Sequence, residues 1–170
     1  QRLSAEHGFD WRWIAAQAYQ ESRLDPAARS PAGAVGLMQL MPSTAAELGI
    51  EDPTDPEQSL DAGIRYMARL RERYFDDPSL PEPVRHDFTL AAYNAGPARV
   101  RRWRQRAAER GLDPDRWYGN VEKLALHDVG LEPVRYVGNV NKIFLVLSRG
   151  LELREARRRE REALEAGRGR

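Results

Sequence analysis

The sequence has no cysteine among its 170 residues, so disulfide bonds and thiolate-bound metals are excluded. It also lacks an unbroken apolar run of about 18 residues, the length that a membrane-spanning helix needs. The three histidines, His7, His86 and His127, are isolated, and none belongs to a metal-binding pair of the H-E-x-x-H type. No G-x-S-x-G nucleophile turn and no glycine-rich phosphate loop occurs. We therefore expect no metal and no cofactor, and acid–base chemistry by a carboxylate is the reaction type that remains.

The composition is that of one compact domain. Hydrophobic residues make up 41% and charged residues 31% of the chain, which is too apolar for a disordered protein. The formal net charge of +1 argues against a dedicated nucleic-acid binder, and we expect a monomer. The chain starts at Gln1 with neither an initiator methionine nor a signal peptide, so we expect it to be a domain from a longer precursor.

Apolar residues recur at helical spacing throughout, which predicts an all-α fold. Asp10 and Asp55 are expected to cap helices, the second as part of a capping box with Gln58. The proline-rich segment 76–87 is read as a connector, and 112–130 as short helices and loops. Helices are predicted at 11–24, 42–48, 56–74, 88–95, 97–110 and 132–149.

The last twenty residues differ from the rest. Residues 1–150 are predicted to form the folded domain, and 151–170 a charged tail that is a solvated or frayed helix, or partly disordered. The other interpretation of the tail is a basic arm that touches an anionic polymer or a following domain.

Glu21 is the outstanding candidate for chemistry. Each residue of an α-helix turns by about 100°, so Glu21 lies over Ile14 and beside Ala18, on the face that this helix must bury. Burial raises the pKa of a carboxyl group and keeps a proton available near neutral pH, as a general acid requires. The competing interpretation is a structural glutamate whose charge is satisfied by helix caps or by an arginine.

The loop that follows Glu21 has the composition of one side of a ligand-binding cleft. Gly33 and Gly36 permit backbone conformations that side chains forbid. Met38 and Met41 flank the amide of Gln39 in "GLMQLMP", a mixture of apolar surface and hydrogen-bonding groups that suits a saccharide, although methionines at such positions are often core residues.

Glycosidases usually need two carboxylates. Asp25 is the nearby candidate, but it precedes Pro26, where the helix must stop, and this favours a turn role. The motif therefore offers a single catalytic carboxylate.

Three ordered motifs, "ESRLDPAARSPAGAVGLMQLMPSTAAELGI", "AAYNAGPARV" and "EPVRYVGNV", resemble those of the lytic murein transglycosylases with a soluble-type, lysozyme-like helical fold and an active-site cleft (glycoside hydrolase family 23). The segment "PTDPEQSLDAGIRYM" is similar to the F-type membrane-bound branch of that family. The resemblance covers residues 9–147, and it leaves open a further N-terminal domain in the full-length protein.

The resemblance implies an enzyme of the periplasm or cell envelope that acts on peptidoglycan glycan strands, with outer-membrane association through a preceding region left open. It would cleave the β-1,4 bond from N-acetylmuramic acid to N-acetylglucosamine without water and leave a 1,6-anhydro end, with Glu21 as acid and then base. A hydrolytic lysozyme-like muramidase and a non-catalytic glycan-binding module remain as alternatives.

The resemblance also assigns further site residues. Tyr93 would bind the substrate's acetamido oxygen or orient Glu21, and Ser30 would hydrogen-bond near the carboxylate or the acetamido group. The remaining matched positions would contact the glycan: Gly36, Gln39, Met41, Asn94, Glu132 and Tyr136. For Tyr136 a helix-packing role is equally open.

Overall fold

The computed structural model describes the backbone of residues 1–168 and the side chains of residues 1–165. Within those residues it is helical and contains no strand, which confirms the all-α prediction. None of the described helices is apolar and long enough to cross a bilayer. The helices are α1 (Arg2–Glu6), α2 (Trp11–Ser22), α3 (Pro42–Glu47), α4 (Pro56–Tyr74), α5 (Glu82–Ala95), α6 (Pro97–Glu109), α7 (Glu122–Val129) and α8 (Glu132–Arg168). A kinked helical turn, Trp117–Val121, precedes α7.

Two helices begin at the aspartates that the sequence indicated. The Asp10 side chain accepts the backbone N–H of Arg12 at 2.9 Å, and that of Asp55 accepts the N–H of Gln58 at 2.8 Å. The predicted capping box is only half formed, because the Gln58 side chain accepts the backbone N–H of Asp52 at 3.2 Å. The cap therefore also fixes the loop that leads into α4.

Two helix boundaries differ from the prediction. α2 ends two residues early because Arg23 and Leu24 adopt left-handed backbone conformations, with φ of 57° and 65°. α5 begins at Glu82, inside the segment predicted as a connector, so that prediction was wrong there. Pro83 fits this first turn because the N–H that proline lacks would have no partner in the helix.

The last helix is much longer than predicted. α8 continues through Gly150, so the expected end at residue 149 was wrong, and its 37 residues extend over about 55 Å. Ion pairs at i,i+3 and i,i+4 spacing, such as Arg161–Glu165 at 2.9 Å, support the exposed part. The division into domain and tail at residue 150 stays a prediction, and the tail's residues 169 and 170 lie outside the described chain.

The packing of α2 against α8 determines where the site forms. The Trp13 and Phe144 rings stack with centroids 3.7 Å apart and an interplanar angle of 3°. Eight residues further along α2, Glu21 meets Tyr136, which lies eight residues earlier on α8. The two helices therefore run antiparallel, and the end of α2 lies beside the start of α8.

Candidate active site

Glu21 occupies the last turn of α2, on the same face as the buried Ile14 and Ala18. Burial raises the pKa of its carboxyl from the ordinary value of 4.5 to about 7, and the negative charge of Glu132 acts in the same direction. A hydrogen bond from Tyr136 opposes the rise. No arginine pairs with Glu21 among the described ion pairs, so the carboxyl can exist in both protonation states near neutral pH.

The partner of the carboxyl is Tyr136, on α8. Its hydroxyl donates to Oε1 of Glu21 at 2.5 Å, across 115 positions of sequence. Tyr136 is 5% exposed, and burial raises the pKa of its phenol well above the usual range, so it remains a hydrogen-bond donor. The sequence left Tyr136 open between a sugar contact and helix packing, and no sequence signal indicated that it would hold the glutamate.

Tyr93 takes a different partner from those expected. Its hydroxyl donates to the backbone oxygen of Met38 at 2.7 Å, and its ring lies edge-on to Tyr66 at a centroid distance of 5.3 Å. Burial raises the pKa of the Tyr93 phenol, and the nearby charge of Glu21 raises it further. Tyr93 is therefore close to Glu21, but its hydrogen bond attaches the loop between α2 and α3, residues 23–41, to α5.

Ser30, Gly36 and Gln39 build the inside of the loop. Ser30 Oγ accepts the backbone N–H of Ala34 at 3.0 Å, and the Gln39 amide donates to the backbone oxygen of Gly36 at 2.9 Å. Gly36 has φ of 84°, and a Cβ atom there would lie 1.9 Å from the Pro53 oxygen. These contacts stabilise the loop, and the glycan contacts predicted for the three residues stay predictions.

Two serines that the sequence analysis did not single out attach the loop to its neighbours. Ser22 Oγ donates to the backbone oxygen of Leu37 at 3.0 Å, and Ser59 Oγ accepts the N–H of Met38 at 3.2 Å. Both hydroxyls are buried, so they stabilise the loop against α2 and α4 without competition from water. Only the position of Ser22, directly after Glu21, could have indicated such a role.

Two of the other predicted residues, Asn94 and Glu132, interact with each other near the same carboxyl. Asn94 at the end of α5 donates to Glu132 Oε1 at 3.1 Å, and the charge of Glu132 reaches Glu21. Met41 directly precedes α3 and is 42% exposed. Asp25 accepts the backbone N–H of Ala27 at 2.9 Å, which confirms its turn role.

Comparison with known proteins identifies the family. The family described as "Transglycosylase SLT domain" matches residues 1–114. The chain belongs to this family. The match includes Glu21 and Tyr93, whereas Tyr136 lies beyond it, so the hydrogen bond at the carboxyl joins the matched segment to α8.

Curated relatives of this SLT domain include two that are named membrane-bound lytic murein transglycosylase F. The one from Desulfosudis oleivorans is 48% identical over 126 residues, which is 74% of this chain and 27% of that protein. The one from Vibrio cholerae is 44% identical over 124 residues, or 73% and 23% of the two chains. The chain thus spans about a quarter of the length of these relatives.

Solved structures confirm the lysozyme-like helical fold of the SLT domain. An inactive mutant of the lytic transglycosylase Slt from Pseudomonas aeruginosa superposes with a TM-score of 0.62 at 27% identity, over 89% of this chain and 23% of that one. The 70 kDa soluble lytic transglycosylase from Escherichia coli gives 0.63 at 28% identity, over 84% and 22%.

Proposed function

We propose that this SLT domain is the catalytic part of a peptidoglycan lytic transglycosylase. It would cleave the β-1,4 bond between N-acetylmuramic acid and N-acetylglucosamine and leave a 1,6-anhydromuramic end. The observation that carries the proposal is the buried Glu21 carboxyl, whose pKa of about 7 suits a group that gives and takes one proton. The names of the relatives, lytic murein transglycosylases, support the same substrate.

The reaction needs only one carboxyl because the substrate supplies the second group. Protonated Glu21 gives its proton to the glycosidic oxygen as the bond from C1 to that oxygen breaks. The substrate's 2-acetamido oxygen stabilises the cationic C1. The C6 oxygen then bonds to C1, and its proton returns to the Glu21 carboxylate, so no water is consumed.

The hydrogen bond to Tyr136 fits this cycle. Tyr136 holds Oε1 of Glu21, so in the proposed reaction Oε2 would carry the proton and meet the glycosidic oxygen. Because the same bond stabilises the carboxylate, it offsets part of the pKa rise that burial causes. Met41, Asn94 and Glu132 are proposed to contact the glycan around this point.

Hydrolysis is the second candidate, and one observation favours it. Glu132 is close enough for its charge to raise the pKa of Glu21, so it is available as a base for a water molecule. A hydrolase would leave a reducing end that contains a solvent oxygen. A glycan-binding module without turnover would leave the glycan unchanged.

Digestion of purified peptidoglycan sacculi in oxygen-18-labelled water, followed by mass spectrometry, separates these functions. We expect unlabelled anhydro ends from the wild type, a loss of about 100- to 10,000-fold in Glu21→Gln, and normal rates in the control Glu51→Gln, which changes an exposed carboxylate. Labelled reducing ends, or full activity in Glu21→Gln, would refute the proposal. Since peptidoglycan is the substrate, the proposed location is the periplasm or cell envelope.

A further inference from the structure

Gln17 is a buried amide without a satisfactory partner. It lies on α2, and none of its surface is exposed. Neither Nε2 nor Oε1 reaches a hydrogen-bond partner of good geometry among the described residues. A buried amide in this state costs folding free energy, whereas an apolar side chain of the same size would not.

The position of Gln17 relates it to the proposed catalytic carboxyl. It precedes Glu21 by four residues, so the two side chains lie one helical turn apart on the same face of α2. Tyr136, which contacts Glu21 from α8, is the neighbour that the Gln17 amide influences: the amide lowers the pKa of the phenol. Gln17 and Glu21 therefore both face Tyr136.

The chemistry of the phenol explains what an amide can do there. Tyr136 uses its one hydrogen to donate to Glu21, and its oxygen lone pairs remain free to accept. When a hydroxyl accepts a hydrogen bond, its own O–H becomes more polarised and a stronger donor. An N–H group from Gln17 would thus act on Glu21 through Tyr136.

We propose that Gln17 is a positioning residue, whose Nε2–H donates to the Tyr136 hydroxyl and thereby fixes and strengthens the bond from that hydroxyl to Glu21. The proposal rests on the proposed function for its catalytic meaning. Two other titratable groups face this cluster, Glu132 from α8 and Tyr93 from α5, and both are unchanged in the test.

The test compares Gln17→Met with Gln20→Met, the same substitution at a partly exposed side chain on the same helix. The pKa of Glu21 is measured by carbon-13 NMR of the carboxyl, with no substrate present. We expect Gln17→Met to raise this pKa by about 0.5 unit, while Gln20→Met leaves it unchanged. Methionine fills nearly the same buried volume, so Gln17→Met should fold, and its free energy of unfolding should stay within about 1.5 kcal/mol of the wild type.

A double-mutant cycle shows whether the effect passes through the phenol. Tyr136→Phe alone should raise the pKa of Glu21 by about 1 to 2 units, and adding Gln17→Met should then change it no further. The pH profile of glycan cleavage should shift by the same amounts.

An unchanged pKa in Gln17→Met, or a full additional shift in the double mutant, would overturn the proposal. If Gln17→Met does not fold, Gln17→Leu, which also lacks the N–H group, is titrated in its place, and an unchanged pKa of Glu21 there would equally overturn the proposal. The two proposals fail separately: sacculi digestion that yields reducing ends would refute the transglycosylase function, whereas the NMR titration would still report the link from Gln17 to Glu21.

Discussion

Replacing Glu21 by glutamine should make the protein more stable at alkaline pH. Glutamine has nearly the same shape as glutamate, and its side-chain oxygen can still accept the hydroxyl of Tyr136. The substitution therefore removes a titrating group from a buried position while leaving the packing of α2 against α8 intact.

The size and sign follow from the pKa of the carboxyl. It rises from 4.5 in an unfolded chain to about 7 in the folded protein, a difference of about 2.5 units. Between those pH values the unfolded chain releases its proton and the folded protein keeps it, so the free energy of unfolding falls as pH rises. At 1.36 kcal/mol per unit, the wild type loses up to about 3 kcal/mol that Glu21→Gln retains.

Denaturant unfolding at several pH values from about 4 to 9 provides the measurement. The two proteins should be equally stable at the acidic end, and the variant should gain steadily until about pH 7 and then stay ahead by a constant amount. The control Glu51→Gln changes an exposed carboxylate and should parallel the wild type. A stability difference that does not vary with pH would refute the assignment of a buried, half-titrated Glu21.

Three further substitutions test other buried polar groups. Asp87→Asn should stabilise the protein by up to about 3 kcal/mol above pH 6 and have no effect near pH 3, because burial raises the pKa of Asp87 from 3.8 to about 6. Denaturant unfolding at several pH values measures this, and a stability difference that does not vary with pH would contradict it. Burial lowers the pKa of His86 from 6.5 to about 3, so between pH 6.5 and about 4 only the unfolded chain takes up the proton, and the free energy of unfolding falls by about 3 kcal/mol. His86→Phe should remove this fall, and an unfolding free energy that still declines as steeply with acid would count against the prediction. Tyr93→Phe should cost about 1 to 3 kcal/mol at every pH, because the Met38 carbonyl loses its donor; a variant as stable as the wild type in denaturant unfolding would show that this bond contributes little.

Local rules predicted the fold well where a residue acts on its own neighbours. Asp10 and Asp55 cap helices because a carboxylate accepts backbone N–H groups two or three positions on, and such contacts need no knowledge of the rest of the chain. The prediction for the last helix was wrong at its end, because the helix continues through Gly150 instead of ending at residue 149. The cost of one exposed glycine is only about 1 kcal/mol, and neighbouring ion pairs can offset it.

The candidate site was predicted only in part. Helical spacing placed Glu21 on the buried face of α2, and the motifs singled out Tyr93 and Tyr136. Their partners could not be predicted, since Tyr93 bonds to the Met38 carbonyl and Tyr136 to the carboxyl. The sequence alone does not distinguish a tyrosine that packs in the core from one that donates a hydrogen bond, because the groups opposite its ring and hydroxyl are set by the tertiary structure.

The sequence by itself determined that the protein is helical, that one carboxylate lies on a buried helix face, and that a glycine-containing loop follows it. These properties depend on spacing along one element, which the order of residues specifies directly. The tertiary structure decided how strongly that carboxyl holds its proton and which hydroxyl contacts it. Both depend on the antiparallel packing of α2 against α8, which brings together groups 115 residues apart and buries the carboxyl.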